Sequence, residues 1–208
     1  NQANDAAVKI ITVEDPVEYD IDGIVQVPIN EEIGVTYPKV LRTVLRQDPD
    51  KILVGEVRDS ETAQVAVEAS LTGHTVFATV HTNDAPSAIT RLVDLGLEPF
   101  LITATLEAIV AQRLVRRVCS ACKTSYQVDE DLLRELGPDA AALRGATLWY
   151  GKGCEQCFHT GYRGRTAICE IMRIDAGLRR AILANVSTAE VRRLARERGM
   201  RSLREAGL

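Results

Sequence analysis

Four of the five cysteines fall in two C-x-x-C pairs, Cys119 with Cys122 and Cys154 with Cys157. Each such turn aims two sulfurs at one point, and Zn²⁺ takes four soft ligands in a tetrahedron. The first residues are polar and do not read as a signal peptide. In the cytosolic chain this suggests, paired knuckles indicate a tetrathiolate zinc site rather than disulfides. A closed set of four leaves no position for water, so the zinc is expected to be structural. Gly151, Gly153 and Gly161 supply the tight backbone that knuckles need. Two unrelated cysteine pairs, or a redox pair, are the alternatives. Cys169 lies in the apolar run 167–172 and reads as a small buried hydrophobe.

Three further clusters hold groups suited to phosphate and water. Glu14 and Asp15 follow the apolar residues 8–13, and Glu56 with Arg58 and Asp59 follows 51–54. His81 and Thr82 follow 75–80. A hydrophobic strand ending in an acid is half of a phosphate-hydrolysing site. That acid holds Mg²⁺, and a second carboxylate orients the attacking water. Glu56 fits the first role, and Glu14 and Asp15 the second. Arg42, Arg46, Arg58 and Arg91 can neutralise phosphate charge. His81 can sense a γ-phosphate through a hydrogen bond. Each cluster alone is readable as a solvated loop or a structural histidine, but three on one edge argue for function.

That edge has to be built by a sheet. Residues 8–13, 51–54 and 75–80 read as buried strands, and 24–29 alternates like an edge strand. Residues 37–46 have helical spacing and put Arg42 and Arg46 on one face. A helix over 60–71 starts at Ser60 as its N-cap and ends before Gly73. Asp84 caps another that runs to Leu95 with Pro86 in its first turn. Residues 99–115 are mostly apolar and read as helical. Strand–turn–helix repeated, with near-continuous apolar strands, predicts an α/β fold. Its parallel sheet is expected to carry helices on both faces and function at the carboxyl ends of the strands. A knuckle module over 116–165 follows, containing a helix at 129–136 and a strand at 147–150. Residues 165–174 read as a strand and 176–184 and 188–198 as helices, the last opened by a capping box from Ser187 to Glu190. The expected domains are 1–115, 116–165 and 166–208.

Composition excludes other classes. The 208 residues are 46% hydrophobic and 26% charged, so the chain is not a disordered tail. Its apolar runs fall far short of the roughly 20 residues a bilayer span needs. Aromatics are 4%, which argues against a base-stacking surface. Net charge is −4, yet residues 163–208 hold 11 arginines against 5 acids. Such asymmetry suggests docking within the chain or onto a neighbour, or simply an arginine-rich helical surface.

At this level of detail the motifs carry a resemblance. Ile-Thr-Val-Glu-Asp-Pro-Val-Glu-Tyr (11–19) resembles the Asp box of the secretion ATPases that drive type II secretion and type IV pilus assembly. Residues 45–63, containing Leu-Val-Gly-Glu-Val-Arg-Asp, resemble their Walker B region, and Thr-Gly-His-Thr-Val-Phe-Ala-Thr-Val-His-Thr-Asn-Asp-Ala (72–85) their His box. The paired C-x-x-C and Gly-Tyr-Arg-Gly-Arg-Thr (161–166) resemble the metal-binding and final segments of the pilus-extension and type II secretion branch. The resemblance implies a partial RecA-like sheet and a hexameric motor that hydrolyses ATP. It also implies a cytoplasmic protein, peripheral at the inner membrane through a platform protein. By the same analogy Glu14 would polarise water, Glu56 would act at Mg²⁺ and His81 would contact the γ-phosphate. The roles of the two glutamates are open to exchange. The four arginines would serve charge neutralisation or subunit coupling.

One departure stands out: no G-x-x-x-x-G-K-[ST] occurs. The family carries that loop upstream of the matched region, so the chain resembles the C-terminal part of such a motor. Without the loop the β- and γ-phosphates lose their cradle of backbone N–H groups. This polypeptide alone is expected to bind ATP weakly and hydrolyse it negligibly. Two other readings remain: a zinc-stabilised assembly module without hydrolysis, and a zinc-ribbon nucleic-acid binder. Arg113, Arg116 and Arg117 beside the first knuckle favour the binder, while acidic net charge and sparse aromatics disfavour it.

Overall fold

Apolar runs become four parallel strands: β1 (Ile10–Glu14), β2 (Val25–Pro28), β3 (Lys51–Val54) and β4 (Thr75–Ala78), in sheet order β2-β1-β3-β4. They belong to a computed structural model that describes residues 4–5, 7–137, 140 and 143–208. Two compact units make up the chain, one of 1–107 with 174–194 and the other of 108–173 with 195–208.

In the first unit, register places Ile11 beside Ile52 and Val13 beside Val54 on one face of the sheet. All four are 2% exposed or less. Helix α1 (Tyr37–Val44) packs on β1 and on α2 (Ser60–Leu71), so both cover this face. The other face carries Thr12, Glu14, Gln26, Leu53 and Phe77, which line a groove bordered by residues 18–24. Helical cover on both faces was the expectation. Here the β1-to-β2 crossover has only ten residues, with Pro16 and Gly23 among them, too short and too interrupted for the helix a parallel connection usually carries.

Helix N-caps fix where each strand tip turns back. Asp59, not Ser60, caps α2: its carboxylate accepts from the Thr62 N–H at 2.8 Å and from the Thr62 hydroxyl at 2.9 Å. Asp84 caps α3 (Ala85–Asp94), accepting from the Ser87 N–H at 2.9 Å, and pairs with Arg192 at 2.7 Å. Helices α4 (Pro99–Thr105), α6 (Ala176–Leu183) and α7 (Thr188–Glu197) follow in chain order.

The second unit is built on an antiparallel ribbon, β5 (Ala108–Val118) against β8 (Tyr162–Arg173). This corrects the reading of 99–115 as one helix: α4 stops at Thr105 and β5 begins three residues later. Ile109, Val110, Val115 and Val118 are β-branched and fit a pleated surface. The strand that pairs with them lies about fifty residues away, beyond any local pattern. The ribbon runs through both expected domain boundaries, 115/116 and 165/166. A hairpin, β6 (Lys123–Gln127) with β7 (Thr147–Gly151), packs Leu148 onto a small core of Leu133, Ala140 and Leu143 beside helix α5 (Glu130–Leu136). Helix α8 (Leu203–Gly207) is held by a Ser202–Glu205 capping box and by the buried Glu170 carboxylate, which accepts from the Leu203 N–H at 3.2 Å. No helix among the described residues is long and apolar enough to cross a membrane.

Candidate functional site at the strand tips

The tips of β1, β3 and β4 are stitched together by backbone. The Gly55 N–H donates to the Val13 carbonyl at 2.7 Å, and the Val57 N–H to the Thr79 carbonyl at 2.9 Å. The Thr79 hydroxyl donates to the Gly55 carbonyl at 2.5 Å. Gly55 is there because nothing larger fits. A Cβ would stand 2.9 Å from the Val13 carbonyl oxygen, 3.0 Å from the Tyr37 hydroxyl and 3.2 Å from the Glu14 Cα. Two of those contacts are backbone and cannot swing away. Gly55→Ala is therefore expected to lower stability by about 1–3 kcal/mol, as overpacking does. Thermal unfolding checks this, and a loss under about 0.5 kcal/mol would show the tips to be loosely joined.

These ties bring Glu56 and His81 together. Glu56 Oε1 lies 2.8 Å from His81 Nε2. Glu56 Oε2 accepts from Arg58 through Nε at 2.6 Å and Nη2 at 2.5 Å. The Glu56 side chain is 14% exposed, and the His81 side chain 87%. One carboxylate is thus gripped at both oxygens, with the histidine on the solvent side. The Arg58 hydrogen bond, then the charges of Arg58 and His81, hold the Glu56 carboxyl below the ordinary glutamate range against the opposing effect of burial. A depressed folded-state value means the cluster stabilises fully above about pH 4.5 and loses that contribution as pH falls through the depressed value. Glu56→Gln should accordingly be less stable than wild type at pH 7. The gap should close as pH falls below the depressed value of the Glu56 carboxyl. A gap independent of pH in paired denaturation curves would contradict the ionised cluster.

Glu14 stands on the same edge with its carboxylate turned to the open face. Its Oε1 accepts from the Thr12 hydroxyl at 2.5 Å and from Gln26 Nε2 at 2.9 Å. Gln26 is fixed in turn, donating to the Tyr19 carbonyl and accepting from the Ile21 N–H. Asp15 follows at the tip, exposed, and its charge acts on both Tyr37 and Arg58.

Tyr37 was not legible as a site residue. It opens α1 and is 8% exposed, with its hydroxyl beside Gly55. Burial, then the Asp15 carboxylate, push its phenol above the ordinary tyrosine range, so it stays a protonated donor at neutral pH. The signal that could have found it is the helix start at Tyr37, which follows β2 and the turn Glu31–Ile33 and returns the chain to the strand tips. Thr79, Thr12 and Gln26 were likewise missed.

Of the four arginines, only Arg58 stands at the tips. Arg42 pairs with Glu61 at 2.9 Å on the surface between α1 and α2. Arg46 follows the C-terminal end of α1, where neighbouring Gln47 accepts from Lys9, at the opposite end of the strands. Arg91 is exposed in the last turn of α3.

The second unit gathers the four knuckle cysteines. Their sulfurs lie within 4.8 Å of one another, with Cys119–Cys154 at 4.0 Å, Cys122–Cys157 at 3.9 Å and Cys154–Cys157 at 3.8 Å. A Zn–S bond of about 2.3 Å gives a tetrahedral edge of about 3.8 Å, so the donor set fits zinc. All five cysteines are free thiols, with Cys169 half-buried. Gly151 and Gly161 cross with their backbones touching, and a Cβ on Gly151 would stand 2.0 Å from the Gly161 carbonyl oxygen. Burial opposes the Cys157 thiolate, but N–H groups of Cys154 and Gly161 donate to its sulfur and bring it down to about 6. Burial pushes the Cys122 thiol up to about 11.

With the geometry in place, known proteins can be set beside it. The crystal structure of the pilus retraction motor PilT with bound ADP superposes with a TM-score of 0.63 at 26% identity, covering 96% of this chain and 51% of its own. The ATPase DotB of Yersinia pseudotuberculosis gives 0.62 at 25% identity, covering 91% and 42%. The fold is therefore that of the PilT-like ATPases. The family model described as type II/IV secretion system protein matches residues 1–208, and the chain belongs to that family. Among curated relatives, the type IV pilus assembly ATPase PilB of Thermus thermophilus is 54% identical over 197 residues, 95% of this chain and 22% of its own. Type II secretion system protein E of Pseudomonas aeruginosa is 49% identical over 204 residues (98% and 40%), and that of Dickeya dadantii 45% over 208 (100% and 41%). The chain thus spans between about a fifth and two fifths of these relatives' length.

Proposed function

We propose that this chain supplies the water-and-metal side of the nucleotide site in an ATPase motor for type II secretion or type IV pilus assembly. The observation that carries the reading is the Glu56 carboxylate held between His81 and Arg58 at the carboxyl edge of a parallel sheet. An ionised, mostly covered carboxylate at that edge is suited to Mg²⁺, directly or through water. Glu14, with Asp15 beside it, orients the attacking water, and His81 meets the γ-phosphate. Arg58 neutralises phosphate charge once Mg²⁺ competes for Glu56, while Arg42, Arg46 and Arg91 would serve charge neutralisation or subunit coupling. The P-loop comes from outside these 208 residues, so the chain alone hydrolyses ATP negligibly.

In this reading Cys119, Cys122, Cys154 and Cys157 hold a structural Zn²⁺, which would lock the β6–β7 hairpin to the knuckles. The complete motor is a cytoplasmic hexamer that works on an inner-membrane platform protein and not on nucleic acid. A chimera tests this: the chain replaces the matching segment of the Thermus PilB, to which it is 54% identical. ATP turnover is expected in the chimera and is expected to fall at least about 100-fold on Glu14→Gln or Glu56→Gln. A folded chimera whose turnover survives both changes would refute the assignment.

A further inference from the structure

Arginines crowd the C-terminal segment, and one of them reaches back toward the strand tips. Arg192 on α7 donates from Nη2 to Asp84 Oδ2 at 2.7 Å, across 108 positions of sequence. The other Asp84 oxygen accepts from the Ser87 N–H at 2.9 Å and so caps α3. One carboxylate thus joins the start of α3 to α7. Its side chain is 25% exposed, so water screens the pair less than it would at an open surface. Burial opposes the Asp84 charge, but hydrogen bonds from Ser87 and then Arg192 hold its carboxyl below the ordinary aspartate range. A second tie runs alongside, with the Thr90 and Thr188 hydroxyls 2.6 Å apart. Between the two α7 positions lies the buried Val191.

Asp84 follows closely on His81, and the stretch that carries the histidine is held at both ends. At its start the Thr79 hydroxyl donates to Gly55, and the Thr79 carbonyl accepts from Val57. At its end the Thr82 hydroxyl donates to the Asp84 carbonyl at 3.1 Å. The His81 side chain is 87% exposed, so packing does little to hold its ring. Its direction is set by where the backbone on either side is fixed. We propose that Arg192 is a positioning residue for His81: by clamping Asp84 it fixes the start of α3, and with it the angle at which His81 leaves the sheet edge. This rests on the reading that His81 meets the γ-phosphate. A ring displaced by about 1 Å from a reacting phosphate can cost about 100-fold in rate, so a clamp away from the chemistry matters to turnover.

Two measurements test it. The first uses the 208-residue chain and needs no nucleotide. Arg192→Ala should speed hydrogen exchange at the Ser87 and Ala88 amides at least about tenfold, while amides of β1 and β3 stay protected. The His81 ring signals should shift in the NMR spectrum of the same variant. Arg192→Lys keeps a charged donor and should reverse both changes. Unchanged exchange and an unmoved His81 signal in folded Arg192→Ala overturn the proposal, whatever the motor does. The second is a double-mutant cycle in the PilB chimera. Arg192→Ala should lower kcat at least about tenfold with KM for ATP changed less than about threefold, and should cost nothing further in a His81→Ala background. Arg192→Lys should recover turnover to within about threefold of the unsubstituted chimera. A His81→Ala chimera with full turnover would refute the phosphate role of His81 and the proposal with it. If His81→Ala abolishes turnover while Arg192→Ala has no effect, or one that adds to it, the positioning role alone is refuted.

Discussion

Cys119→Ser or Cys157→Ser is expected to unfold the knuckle and hairpin region while leaving the parallel sheet intact. The four sulfurs already stand at a tetrahedral spacing. Apart from them, the segment 119–157 has little to hold it: among the described residues its buried core is Leu133, Ala140 and Leu143, with Val128, Leu136, Ala146 and Leu148 partly buried against it. A core that small would leave the proposed metal as the main source of folding energy, and structural zinc sites supply on the order of 10 kcal/mol in small domains. Loss of one ligand should cost on the order of 5 kcal/mol locally, more than any single packing change in the hairpin. Hydrogen exchange is the suitable readout. Amides of β6 and β7 should lose protection, those of β1 and β3 should keep it, and metal analysis should fall from one zinc per chain to none. Protected hairpin amides in a zinc-free variant would show that packing alone holds the module.

Glu56→Gln in the PilB chimera is expected to lower turnover by about 100-fold to 1,000-fold, or roughly 3–4 kcal/mol of transition-state stabilisation, with nucleotide affinity changed by less than about threefold. Gln has the same shape and still accepts from Arg58, so the strand tips should stay assembled. It lacks the charge that attracts Mg²⁺ and the basicity that assists a proton leaving water. Base and ribose have no contact with Glu56 in this scheme, which is why binding should be spared. Equal losses in binding and turnover would move Glu56 from chemistry to scaffolding.

How much of this was legible varies with the range of the interaction. The tips of β1, β3 and β4 are short-range features, an apolar run ending abruptly in polar residues, and each appears where the pattern places it. The cysteine pairs are equally local, and their spacing alone predicts the cluster. Strand β5 was misread because Ile109, Val110, Leu114 and Val115 satisfy a helical apolar pattern as readily as a strand. Only the distant partner β8 decides between them. Tyr37 was invisible for a related reason: its hydroxyl reaches Gly55 through the crossover from β2 to α1. The arginines were read from charge, helical spacing and the resemblance, none of which says which end of a helix faces the strand tips. Arg46 lies beyond the end of α1 at Val44, beside Gln47 and Lys9 at the other end of the strands.

The most direct measurement is the identity of the nucleotide retained after the PilB chimera is incubated with ATP and Mg²⁺ and separated from free ligand. If successive β-strand tips assemble the hydrolytic half of the pocket, the unsubstituted chimera should retain ADP. The Glu56→Gln chimera should retain a similar amount of nucleotide, almost all of it intact ATP. ADP in the Glu56→Gln protein would show that hydrolysis proceeds without this carboxylate and would contradict the account.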